Sequence, residues 1–221
     1  MNEPTYAIIP TNGRDCFRDC LNAVLGQVDH IYVVEGGPGA KLVDAHTDYG
    51  VNFSIIREPE LNISKWWNLG LSLISSKMQQ NGVRRWNVVI LNDDAIIPSG
   101  WVKAVAGRMR DMQVAAACSG NPNPIPAVHT TPGPVGLATR MQGYAFVLAG
   151  EKGVRANEQL KWYFSDDHVD WLSRQKGGML CVPGMYVEHR FPNGQVTPEI
   201  QEQIAQDAHA FSQYWNGMRP W

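Results

Sequence analysis

Short apolar runs alternate with stretches of helical spacing across the first half of this chain, and no other feature restricts its fold as strongly. Residues 6–9 read as a buried strand ending at Pro10, and residues 30–34 (HIYVV) as a second, closed by Glu35-Gly36-Gly37. Residues 51–56 give a third strand and residues 86–91 (WNVVIL) a strongly apolar fourth. Between them, residues 15–25 place Phe17, Cys20, Leu21, Val24 and Leu25 at helical spacing, and residues 64–78 read as a helix with Ser64 as its cap. Residues 98–112 predict a helix with Pro98 near its first turn, followed by a strand at 114–118. Such alternation calls for parallel strands joined by crossover helices, an α/β sandwich. Ligands of such sheets bind beyond the carboxyl ends of the strands, which directs attention to Thr11, Glu35 and residues 92–94.

The second half changes character at residues 121–140, where five of the fourteen prolines fall, at 122, 124, 126, 132 and 134. This reads as an extended loop, too long for an idle connector, and is expected to form a lid or an acceptor wall. Residues 143–149 resume as a strand, 158–164 and 168–175 read as helical, 179–182 and 185–187 as short strands, and 197–214 as a polar helix lying over the surface.

A chain of 221 residues that is 44% hydrophobic and 18% charged is long and apolar enough to bury a core. Its net charge of −2 argues against a generally basic nucleic-acid surface. No apolar run approaches the roughly 20 residues that span a bilayer, and the opening MNEPTYAIIPTNGR lacks a basic segment followed by an apolar one, so neither a membrane span nor a signal peptide is expected. The four cysteines, Cys16, Cys20, Cys118 and Cys181, read as reduced thiols in or near the core, which gives the cytosol as the expected compartment.

Chemistry concentrates in a few places. In LNDDA, residues 91–95, Asn92, Asp93 and Asp94 directly follow a hydrophobic strand. Adjacent carboxylates repel unless a cation or proton intervenes, and hard oxygen ligands suit Mg²⁺ or Mn²⁺. An Asx-type turn leading to the next helix accounts for the same residues. In SDDHVDW, residues 165–171, three carboxylates bracket His168; one of them can act as a general base, and acidic residues equally suit a helix first turn. His189, in YVEHRF, is a further candidate metal ligand. Trp66 and Trp67 read as core, while Asn68 and Gly70 are placed to let their helix approach a nucleotide. The glycine-rich residues 36–41 have neither P-loop spacing nor a third glycine for the dinucleotide pattern.

Taken in order, these segments resemble the GT-A glycosyltransferases, in particular the family-2-like group, over about residues 5–192. By that resemblance, the fold is a Rossmann-like, mixed but mainly parallel sheet flanked by helices. Residues 1–221 then form one domain, with a nucleotide-sugar half at 1–118, an acceptor half at 119–192 and a helical tail at 193–221. Pro10-Thr11 matches the pair that meets the nucleotide, Glu35 the acidic residue near the base or ribose, and Asn68-Leu69-Gly70 the Asn-x-Gly helix. Asn92-Asp93-Asp94 matches the DxD-type motif, with Asp94 the expected metal ligand, supported by Asp93 and His189. Gly143-Tyr144-Ala145 matches a glycine-bearing strand near the acceptor. Asp166-Asp167, with Arg174 following, matches an acidic pair ahead of a helix, so Asp167 is the implied base, or Asp166 if the one-residue difference in spacing shifts the register. The resemblance implies Mn²⁺ or Mg²⁺, a nucleoside-diphosphate sugar donor with a UDP-sugar expected, and inverting transfer to a hydroxyl. That hydroxyl would belong to a saccharide, a protein, a small molecule or a hydroxylated DNA base. A nucleotidyltransferase and a catalytically silent sugar-nucleotide binder on the same scaffold are the alternatives; the first should carry a basic phosphate loop after the first strand, of which residues 11–14 are a poor version.

Overall fold

A computed structural model describes residues 3–37, 53–119, 127–190 and 197–220. The strands in chain order are β1 (Thr5–Thr11), β2 (His30–Glu35), β3 (Phe53–Arg57), β4 (Asn87–Leu91), β5 (Ala95–Ile96), β6 (Ala116–Ser119), β7 (Ala127–His129), β8 (Ala145–Ala149), β9 (Met179–Val182) and β10 (Glu188–His189). The helices are α1 (Phe17–Val24), α2 (Ile63–Gln80), α3 (Trp101–Asp111), α4 (Ser165–Gln175) and α5 (Pro198–Tyr214).

Eight strands form one sheet in the order β3-β2-β1-β4-β8-β6-β9-β7. The β3-β2-β1-β4 portion is parallel, β8 runs antiparallel to both its neighbours, and β6 and β9 are parallel. Because β8 lies between β4 and β6, the sheet runs continuously across residue 118.

Side chains alternate across the pleat and divide the core in two. Ala7, Ile9, Ile31, Val33, Val89 and Leu91 face one layer, packed with Phe17 and Leu21 of α1 and Trp101, Val105 and Met109 of α3. Tyr6, Ile8, Tyr32, Val34, Val88 and Ile90 face the other, packed with Trp66, Trp67, Leu71 and Ile74 of α2 and Val169 of α4. Both faces are covered, which is why these strands read as unbroken apolar runs. Leu160, Phe164, Trp171, Phe211 and Trp215 form a third cluster that seats α5.

The chain leaves β1 in both directions across the sheet, and this creates a crevice. Pairing of β1 with β2 continues to Thr11↔Glu35, whereas its pairing with β4 ends at Ile8↔Ile90. Beyond that point β1 has a partner on one side only, where Pro10, without an N–H, interrupts no central ladder. The opening between the ends of β1 and β4 is the switch point at which such sheets take ligands.

Several local expectations change. Asn62, not Ser64, caps α2, its side chain accepting from the Lys65 N–H. The helix expected over residues 158–164 does not form; the N–H groups of Lys161, Trp162 and Tyr163 donate instead to the buried Asp207 carboxylate of α5. That acceptor lies more than 40 residues away, beyond the reach of local periodicity. Helix α3 begins at Trp101 because Gly100 is left-handed, leaving Pro98 outside it. Residues 185–187 are not a strand; Glu188 and His189 pair with Ile96 and Ala95 in a two-stranded ribbon that apolar patterning does not reveal. Gly70 serves strand packing: a Cβ there would lie 2.7 Å from Ile8 side-chain carbons. Residues 38–41 of the glycine-rich stretch, 51–52 of the third expected strand, 121–126 of the proline-rich loop and Phe191 lie outside the described residues. Among the described residues, no helix is long and apolar enough to cross a membrane.

Candidate functional site

A cavity of about 620 Å³ opens at the crevice. Its floor is Pro10 and Thr11, which end β1, Asn12 and Arg14, which follow them, and Asn92, Asp93 and Asp94, which follow β4. Trp66 and Trp67 of α2, residues 140–144, Trp162, Tyr163, Asp166 and His189 complete the wall. Thus Pro10, Thr11, Asn92, Asp93, Asp94, Asp166 and His189 come together, and Glu35, Asn68 and Asp167 do not line this space. Glu35 is buried at the end of β2 with Arg57 3.3 Å away. Asn68 donates to the Ala156 carbonyl and Glu158 and accepts from the Ala156 N–H, pinning the segment ahead of α4.

The turn after β4 is held from three sides. The Asn92 N–H donates to the Tyr144 carbonyl, the Cys20 thiol to the Asn92 carbonyl and the Arg190 N–H to the Asp94 carbonyl. Both carboxylates are almost fully buried. Asp93 accepts from Thr11 Oγ1 at 2.8 Å through Oδ2 and is paired with Arg14 through Oδ1. Asp94 Oδ2 is 3.2 Å from Arg14 Nη1. The ribbon of β5 and β10 carries His189 to the other side, with Nε2 3.3 Å from Asp94 Oδ1 and its ring stacked on Tyr144 at 4.2 Å. Burial works to raise the Asp94 pKa, but the contact with His189 and the charge of Arg14 outweigh it and hold the carboxyl below its usual value.

Asp94 Oδ1 is buried without a hydrogen-bond partner. Two cis ligands of an ion held at about 2.1 Å lie about 3 Å apart, close to the separation from His189 Nε2. These two groups would therefore supply two ligands to a divalent cation. Asp93 does not converge with them, since both its oxygens are engaged, and among the described residues no group of three or more His, Cys, Asp or Glu side chains forms a metal cluster.

The first turn of α4 brings Asp166 to the same cavity. Gly143 makes room for it: a Cβ at 143 would stand 2.4 Å from Asp166 Oδ2 and 2.6 Å from its Cβ, so rotation of the carboxylate alone does not relieve the clash. Asp167 lies behind, with Oδ1 3.4 Å from Arg140 Nη1. Burial, reinforced by the neighbouring Asp166 charge and only partly offset by Arg140, raises Asp167 to about 8. Asp166 is raised too, chiefly by burial, with Arg140 opposing. Arg174 does not reach the cavity; it forms a buried pair with Asp170 and donates to the carbonyls of Thr131 and Gly133, tying the proline-rich loop to α4.

The raised Asp167 pKa has a thermodynamic consequence. A carboxyl that holds its proton more tightly when folded contributes stability that is complete below its unfolded pKa, near 3.8, and is lost as pH rises through about 8. Thermal melts of the wild type are expected to fall from pH 5 to pH 8 more steeply than those of Asp167→Asn. Parallel curves would show that Asp167 is not the group responsible.

Sequence reasoning passed over Arg14, Arg140 and Trp162. Arg14 was legible only as part of a poor phosphate loop, and nothing local places Arg140 beside an acidic pair 26 residues on.

No protein-family model matches the sequence, and neither does any curated protein. Solved structures do match. The crystal structure of S. aureus TarS 1-349 aligns over 96% of this chain at a TM-score of 0.60 and 12% identity. S. aureus TarS aligns over 95% at 0.57 and 13%, and TarS 1-349 in complex with UDP-GlcNAc over 95% at 0.55 and 11%. The fold is GT-A-like. The chain spans 72%, 40% and 66% of those three chains, and at these identities the likeness concerns the fold.

Proposed function

We propose that this protein is a metal-assisted, inverting glycosyltransferase of the family-2-like group that moves a sugar from a UDP-sugar to a hydroxyl. The observation that carries the reading is the buried Asp94 Oδ1 set 3.3 Å from His189 Nε2 at the β1/β4 switch point. The likeness to a TarS structure holding UDP-GlcNAc supports a nucleotide sugar as donor. Asp94 and His189 would hold the cation, whose charge, when bound, favours departure of the diphosphate. Thr11 fixes Asp93, which Arg14 neutralises before a cation binds. Asp166, the carboxylate that reaches the cavity, takes the proton of the acceptor hydroxyl as it attacks the anomeric carbon. The Arg140 charge opposes the rise that burial imposes on the Asp166 pKa, and the Asp170 charge adds to that rise. The exposed face of Trp162, packed edge-on against Trp66, suits the apolar face of a sugar acceptor. The four cysteines, all free and buried, agree with a reducing compartment, and we place the protein in the cytosol.

Incubation with a panel of sugar nucleotides and Mn²⁺ tests this reading. Release of nucleoside diphosphate by hydrolysis or transfer is expected. Release of pyrophosphate from a nucleoside triphosphate would point instead to a nucleotidyltransferase, and binding without turnover to a silent binder. Gly143→Ala gives a narrower check: by displacing Asp166 it should lower turnover by about 100-fold, the small end of what a general base contributes. Donor affinity should stay the same. Unchanged turnover would mean that the position of Asp166 is immaterial.

A further inference from the structure

We propose that Arg14 is a resident counter-ion of the acidic pair, which it gives up to a divalent cation before turning to the donor diphosphate. This rests on the metal-assisted reading above. Arg14 straddles both acids, through Asp93 Oδ1 and Asp94 Oδ2, while Thr11 holds Asp93 Oδ2 and His189 faces Asp94 Oδ1. Two adjacent buried carboxylates repel strongly, and one planar guanidinium with several donors neutralises both at once.

The partners differ in exposure. The Asp93 and Asp94 side chains are 3% and 2% exposed, whereas Arg14 is 39% exposed. The acid pair is therefore fixed in the protein, while the arginine stands half in solvent and can leave by side-chain rotation. Its loop is anchored independently of that contact, by the Gly13 N–H donating to Thr11 Oγ1. A cation on Asp94 and the guanidinium beside it carry like charges, so they exclude one another there. The displaced guanidinium remains in the same cavity, where its fork matches phosphate oxygens.

Mn²⁺ titrations followed by electron paramagnetic resonance, without nucleotide, compare wild type, Arg14→Gln and Arg14→Lys. Calorimetric UDP titrations follow at saturating Mn²⁺. Removal of a competing charged hydrogen-bond partner should tighten Mn²⁺ binding about tenfold in Arg14→Gln. Lysine, a point charge without the fork, should fall between; it carries the comparison if the glutamine variant melts early. UDP should bind Arg14→Gln about tenfold more weakly, as expected for loss of a charged hydrogen bond to phosphate. Equal Mn²⁺ affinity in the variants and wild type overturns the competition, and unchanged UDP affinity overturns the transfer to phosphate. If neither wild type nor variant binds Mn²⁺, with or without UDP, the metal-assisted reading fails and the inference with it.

Discussion

Asp166→Asn should reduce sugar transfer by at least about 100-fold, within the range a positioned general base contributes, while leaving donor affinity nearly unchanged. An acceptor hydroxyl is a weak nucleophile near neutral pH. Asp166 lines the same cavity as Asp94 and His189, so under the proposed function an acceptor bound there would have both the carboxylate and the donor within that space. Asparagine keeps the shape and removes the basic lone pair. Burial raises the Asp166 pKa, so the ionised base is depleted as pH falls, and wild-type turnover should decline on the acid side above the usual carboxylate range. Asp167→Asn, measured in parallel, separates the neighbours. A large loss there with Asp166→Asn active would place the base at Asp167, and no effect from either would leave this acidic turn as a helix start.

The sheet was legible in the sequence because its strands are buried on both faces. Residues 6–9, 30–34 and 86–91 all read as apolar runs, and all three fall in the parallel half. The floor of the site was legible for the related reason that polar residues ending such a strand, as Asn92-Asp93-Asp94 do, must face its carboxyl-end crevice. What stayed hidden depends on contacts between distant segments. Residues 158–164 have helical spacing, but Asp207 claims their amides. Asn68 resembles a nucleotide contact by motif, yet its amide is consumed by residues 156 and 158. The order of Asp166 and Asp167 relative to the cavity depends on where α4 begins, and that follows from the left-handed Phe164 before it. Two-residue strands such as β5 and β10 have no periodicity to detect, although they deliver His189.

Asp94→Ala should weaken metal-dependent binding of UDP by at least about 100-fold, because loss of even an outer-shell partner of a metal costs about 10–100-fold. The variant deletes the carboxylate oxygen that faces His189 and leaves Asp93 to Arg14 and Thr11. His189→Ala should follow in the same direction and by less. The most direct test of a cation at this crevice is calorimetric titration of UDP into the wild-type protein with Mn²⁺ and again with excess chelator. The account predicts tight binding with the metal, a large loss with chelator, and no such difference in Asp94→Ala. Equal UDP affinity with Mn²⁺ and with chelator would contradict it.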